Sequence, residues 1–218
     1  MAEPTAQFSA FLEAVGRAPV IPVLTVERPA QAGPLARALA EGGLAAIEIT
    51  LRRPGATEAI AAAAAAAPGL LVGAGTVLDR DQLDAAAAAG ARFAVSPGAT
   101  PALLDAARGW DCPFLPGVAS ASEVMAALAQ GFRRLKFFPA APLGGPAALK
   151  ALAAPFPEVG FCPTGGITRD TAADYLRLDS VFCLGGSWIA PERLIEAEAW
   201  GEITRLARES LAALSGRS

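Results

Sequence analysis

Two hydropathy periods alternate along this chain. Short runs rich in Val, Ile, Leu and Phe, with period-two alternation or unbroken apolar character, predict strands over 20–26, 45–51, 70–75, 92–95, 114–117, 133–138, 159–163 and 181–184. Between them lie alanine-rich runs whose larger apolar residues recur every three or four positions. These predict helices over 30–41, 57–66, 79–88, 101–108, 121–129, 145–153 and 169–176, with a short helix over 8–15 before the first strand and helix from 191 to 214 after the last. Helix starts are marked by Asp79, by Thr100-Pro101, by Ser120 with Glu123 three residues on, and by Thr168. Glycines at 42–43, 90 and 131 mark helix ends.

Eight strand–helix units in about 200 residues match an α/β chain folded as a closed (β/α)8 barrel of the TIM type, with a short N-terminal helix and a helical C-terminus. An open doubly wound sheet competes. It predicts a Gly-x-Gly-x-x-Gly turn after the first strand, where this chain has Thr25-Val-Glu-Arg-Pro29. No linker divides the chain, so a single domain over 1–218 is expected.

Composition narrows the chemistry. Hydrophobic residues make up 53% of 218 and mean hydropathy is +0.41, enough for a substantial core, yet no apolar run reaches the ~18 residues of a membrane span. The first five residues lack the pattern of a secretion signal, and three cysteines without metal-ligand spacing suit a reducing compartment, so a cytoplasmic protein is expected. Net charge is −3 and no basic stripe suggests nucleic acid. There is no histidine, which removes histidine triads, histidine general bases and histidine metal ligands. Acid–base work falls to carboxylates, lysine, the single tyrosine or water.

Only two of the 18 basic residues are lysines, Lys136 and Lys150. Lys136 lies within a strand pattern, Lys150 in an amphipathic helix where a solvated lysine is ordinary. Arginine stays protonated, whereas a desolvated lysine can become a nucleophilic amine. Strand parity puts Arg134, Lys136 and Phe138 on one face, and Glu48, Thr50 and Arg52 on the inner face of the second strand, near the ends where α/β active sites gather. A purely structural Glu48–Lys136 or Glu48–Arg52 ion pair is the alternative. Thr164-Gly165-Gly166 and Gly185-Gly186-Ser187 follow the seventh and eighth strands, where backbone amides commonly cradle phosphate. Thr76 after Gly73-Ala-Gly75, Ser96-Pro97-Gly98 and Pro116-Gly117 end three further strands.

In order, Glu48-Ile-Thr-Leu-Arg52, Gly73-Ala-Gly-Thr76-Val-Leu, Ser96-Pro-Gly, Lys136-Phe-Phe-Pro139, Cys162-Pro-Thr-Gly-Gly-Ile167 and Leu184-Gly-Gly-Ser-Trp188 resemble the 2-keto-3-deoxy-6-phosphogluconate (KDPG)/4-hydroxy-2-oxoglutarate aldolase family. The resemblance runs from about Val20 to Pro191. It implies a class I aldolase of the Entner–Doudoroff pathway, a cytoplasmic homotrimer needing neither metal nor organic cofactor, whose partners are a phosphorylated keto acid, pyruvate and glyceraldehyde 3-phosphate. It further implies Lys136 as the Schiff-base lysine and Glu48 as the general acid/base. Arg52 and Thr76 would hold the pyruvyl carboxylate, Pro97 and Phe138 would shape the pocket, and Thr164, Gly165, Gly166, Gly186 and Ser187 would bind phosphate. Alternatives are the galactonate-series aldolase, a phosphate-binding isomerase or epimerase without a covalent lysine, and a non-catalytic anion-binding barrel.

Overall fold

A computed structural model describes residues 5–214. The first four residues, within the stretch read above for a secretion signal, lie outside the described residues. Helix α1 (Ala6–Arg17) leads into β1 (Val20–Leu24); a 3₁₀ turn (Pro29–Gln31) runs into α2 (Ala32–Glu41). Strictly alternating units follow: β2 (Ala46–Thr50), α3 (Ala56–Ala66), β3 (Leu71–Gly75), α4 (Arg80–Ala88), β4 (Ala94–Val95) and α5 (Pro101–Arg108). Then come β5 (Phe114–Leu115), β6 (Gly117–Val118), α6 (Ala121–Ala129), β7 (Arg134–Phe137), α7 (Gly145–Ala153), β8 (Gly160–Pro163) and α8 (Arg169–Leu176). The chain ends on β9 (Leu184–Gly186), α9 (Glu192–Glu196) and α10 (Trp200–Leu214).

The helix starts follow from side-chain chemistry. Asp79, Thr100, Ser120 and Thr168 each accept a hydrogen bond from the backbone N–H three residues on, satisfying a donor that the helix cannot. Gly43, Gly90 and Gly131 have φ near +90°, so the left-handed residues that end α2, α4 and α6 carry no Cβ penalty.

The expected closed eight-stranded barrel is not formed. All pairings are parallel, but six strands make one open half-barrel sheet in the order β5-β4-β3-β2-β1-β9, and three make a second, β6-β7-β8. Two seams break the ladder. At Pro116 the run expected as one strand splits: Leu115 pairs with β4, whereas the Pro116 carbonyl accepts from Lys136 N–H at 2.9 Å on β7. At the other seam only isolated bridges, Phe161 with Val181 and Thr164 with Gly185, link the second sheet toward β9, and the expected strand over 181–184 is displaced to Leu184–Gly186.

The C-terminal helix is also interrupted. Glu198 adopts φ +53°, its N–H bonds the Ile195 carbonyl, and Ala199 N–H bonds that of Leu194, a Schellman ending for α9 built without glycine.

Side-chain parity sorts the apolar residues into two cores. Val20, Leu24, Ile47, Ile49, Val72 and their like face the helices. Ile21, Ala46, Phe93, Val95, Leu115, Cys162 and Cys183 fill the concave side shared by both sheets, closed off by Phe11 and Val15 of α1. Among the described residues no helix is long and apolar enough to cross a membrane.

Candidate active site

On the concave side the chemistry stands above the small apolar core. Lys136 is central to β7, in register with Gly117 on β6 and Cys162 on β8, and is only 5% exposed. Its Nζ lies 3.4 Å from Glu48 Oε1 and 5.3 Å from the centre of the Phe138 ring. Glu48, 2% exposed on β2, has this lysine as its ion-pair partner. Neighbouring glycine makes the space: a Cβ on Gly75 would come within 2.0 Å of Glu48 Oε1. Two ionisable groups taken this far out of water need each other, since a lone charge here would be strongly destabilising. Beneath them the Cys183 thiol is pushed well above the usual cysteine range, first by burial and then by its neighbours Cys162 and Glu48. That thiol is held protonated and is a poor nucleophile.

A cavity of about 620 Å³ opens above this pair, and the eleven residues singled out from the sequence all line it. Arg52, at the outer end of β2's inward face, donates from Nη2 to Thr25 Oγ1 at 3.1 Å. Thr50 Oγ1 donates to the Leu24 carbonyl at 3.1 Å, tying β2 to β1 just below. Thr76, the residue after β3, sits at φ +60°, a left-handed backbone uncommon for a β-branched residue. Glu48, Thr50, Arg52, Thr25 and Thr76 thus form one polar wall, with Pro97 after β4 and Phe138 after β7 beside it.

The opposite wall is backbone. After β8 the chain turns through Gly165 and Gly166 at φ +99° and +74°, conformations that expose peptide N–H groups. Thr164 bridges to Gly185, where a Cβ would meet Thr164 Oγ1 at 2.3 Å. Gly186 is covered by the Trp188 ring, which would meet a Cβ at 1.7 Å, and Trp188 Nε1 donates to Ser210 Oγ on α10 at 3.2 Å. Ser187 lies between them, exposed at the rim. Lys150 is elsewhere, exposed on α7 and lining a different cavity.

Sequence reasoning missed three polar or aromatic lining residues: Thr25, Trp188 and Glu192. Thr25 was within reach, since it shares β1's inward parity with Ile21 and Val23; Trp188 stood in a quoted motif without a role. Glu192 gives no signal, because its place depends on how the chain turns after β9.

The arrangement joins a buried amine–carboxylate pair, an arginine with hydroxyls beside it, and a glycine-lined wall. Along most of its length the chain is similar to known aldolases. The model of the aldolase family described as KDPG and KHG aldolase matches residues 12–206. The 2-dehydro-3-deoxy-phosphogluconate aldolase of Pseudomonas aeruginosa is 50% identical over 192 residues, covering 88% of this chain and 87% of the relative. The crystal structure of KDPG aldolase from Legionella pneumophila, with pyruvate captured as a covalent carbinolamine intermediate, superposes with a TM-score of 0.89 at 44% identity, covering 96% of this chain and 98% of that one. The 2-keto-3-deoxy-6-phosphogluconate aldolase of Zymomonas mobilis with 3-phosphoglycerate superposes at 0.85 and 47% identity, covering 92% and 95%.

Proposed function

The chain belongs to the KDPG and KHG aldolase family, and we propose on that footing that Lys136 is its Schiff-base lysine and Glu48 its proton shuttle. The protein is a class I aldolase that cleaves 2-dehydro-3-deoxy-6-phosphogluconate to pyruvate and glyceraldehyde 3-phosphate, the aldol-cleavage step of the Entner–Doudoroff pathway. The same machinery suits 4-hydroxy-2-oxoglutarate, the other keto acid for which the family is named.

The cycle begins when the Lys136 amine, its proton passed to Glu48, adds to the C2 carbonyl. The resulting carbinolamine loses water to give a protonated imine. Glu48, acting through a water, takes the C4 hydroxyl proton; the O–H electron pair becomes the C=O bond of the aldehyde, and the C3–C4 pair flows into the imine to give an enamine. Glyceraldehyde 3-phosphate leaves. Protonation at C3 and hydrolysis of the imine release pyruvate and restore the amine. In this reading Arg52 and Thr76 hold the keto-acid carboxylate, and Pro97 and Phe138 close around the reacting carbons. Thr164, Gly165, Gly166, Gly186 and Ser187 take the phosphate on the far wall. The homotrimeric, cytoplasmic state implied by the sequence resemblance belongs to the same reading.

The observation that carries it is the 3.4 Å contact between a 5% exposed lysine and a 2% exposed glutamate at the base of the cavity. Incubation with pyruvate and borohydride should fix one pyruvyl adduct per chain, mapped by peptide mass to Lys136. Lys136→Arg should lose both adduct and cleavage while keeping the charge. An adduct at Lys150, or none, would end this mechanism.

A further inference from the structure

Arg134 and Lys136 stand two residues apart on β7, so both side chains leave the same face of the strand, about 7 Å apart along it. Lys136 serves the cavity already described. Arg134, at the other end of the strand, lines a second cavity of about 630 Å³ between the starts of β7 and β8 and the ends of α7 and α8.

The position accommodates a guanidinium. Its register partner on β8 is Gly160, where a Cβ would meet Arg134 Cδ at 2.8 Å and Nε at 3.0 Å, so a larger residue would displace the arginine. The guanidinium carbon lies 5.9 Å from the centre of the Phe182 ring. Half-buried in this way, the group is held below the usual arginine range by loss of water. Among the described residues it makes no ion pair: Nη1 donates to the Arg133 carbonyl at 3.1 Å, and Nε is the one buried side-chain nitrogen or oxygen with no hydrogen-bond partner. A half-buried cation with no counter-charge and an unpaired Nε is destabilising to the chain that carries it, and an arginine fork is matched by a carboxylate.

The surroundings choose among anions. Lys150 lines the same cavity and makes no ion pair among the described residues, whereas Arg177 is committed to Asp174. Glu158 and Asp179 also line it, neither of them paired with Arg134. Two unpaired cations beside two carboxylates disfavour a phosphate dianion. They favour a single negative charge on a body that also offers hydrogen-bond donors. We propose that this second cavity binds a small hydroxylated or amino monocarboxylate, its carboxylate on the Arg134 fork with Lys150 alongside, and its donors turned to Glu158 and Asp179.

The test uses D-glycerate as probe and titration calorimetry of the full chain. Arg52→Leu is the background, so that the arginine of the first cavity does not compete. D-Glycerate should bind this variant, and adding Arg134→Leu should weaken binding at least tenfold, the usual consequence of removing a charged hydrogen-bond partner. Lys150→Met, at an exposed helix position that does not threaten folding, should weaken it several-fold. A crystal structure with D-glycerate should place the carboxylate at Arg134. The proposal is overturned by no binding to Arg52→Leu, by affinity unchanged on adding either second substitution, by inorganic phosphate binding more tightly than D-glycerate, or by ligand located elsewhere.

Discussion

Glutamate can occupy position 48 because glycine occupies position 75. The missing Cβ on β3 is the space taken by the Glu48 carboxylate, 2.0 Å from where that carbon would be. Gly185 does the same for Thr164 Oγ1, at 2.3 Å, on the opposite wall. Neither glycine has a positive φ, so alanine is compatible with both backbones and the effect of substitution is local. The two changes should separate in kinetics. Gly75→Ala pushes the carboxylate off its position beside Lys136 and should lower kcat by roughly 100-fold on both keto acids, as expected when a reacting group is misplaced by an ångström or so. Gly185→Ala disturbs the wall proposed to take the phosphate and should raise KM for the phosphorylated substrate about tenfold while largely sparing 4-hydroxy-2-oxoglutarate, which carries no phosphate. Steady-state rates with both substrates decide the matter; equal losses on the two for Gly185→Ala would remove the phosphate role from that wall. At this scale the sequence was informative where parity applies, as at Glu48, Arg52 and Lys136. It was silent about Glu192, whose place depends on the turn after β9.

Elements were legible to the extent that their signals are local. The N-caps at Asp79, Thr100, Ser120 and Thr168 and the left-handed glycines at 43, 90 and 131 act within a few residues, and the helix ends they mark fall where expected, to within a residue. The misreadings occur where a boundary is set from a distance. Glu198 ends α9 without glycine, and its Oε1 accepts from Arg28 Nη2 at 2.9 Å, a partner 170 residues away. Closure of the ladder failed as an expectation because it depends on which neighbour each strand edge finds; at Pro116 the chain changes partner, and alternation along a strand carries no information about that. Packing between elements gives a further test. Gly42 ends α2 in ordinary right-handed geometry, yet a Cβ there would sit 2.4 Å from Ala207 Cβ on α10. Gly42→Ala should therefore destabilise by about 1–3 kcal/mol through overpacking. Gly69→Ala, with nothing within 4 Å and no positive φ, should be neutral or slightly stabilising. Urea unfolding of the two variants checks the contrast, and kcat should be unchanged in both.

Across the whole molecule the concave side is divided by height. Its lower part is apolar, its upper part reactive, and the boundary runs through Gly73, whose register partner on β2 is Glu48. A Cβ on Gly73 would meet the Phe93 ring at 2.4 Å, so that ring lies directly against the strand position paired with the glutamate. Phe93 is in turn supported by Phe11 of α1, the two ring centres 5.0 Å apart and Phe11 only 1% exposed. The N-terminal helix thus supports the lower layer and contributes none of the residues that line the cavity above it. If the layers are separable in energy, Phe11→Ala should cost about 3–5 kcal/mol by leaving a cavity under Phe93, which for a chain of this size lowers Tm by roughly 6–20 °C. Phe93 would still be confined by Gly73 from above, so kcat measured well below the new Tm should stay within about threefold of the parent. Thermal unfolding followed by circular dichroism, with rates taken at 15 °C on the same samples, reads both quantities. A collapse of kcat in protein that remains folded would mean that the aromatic layer sets the height of Glu48 as well as holding the sheets together, and the division by height would have to be abandoned.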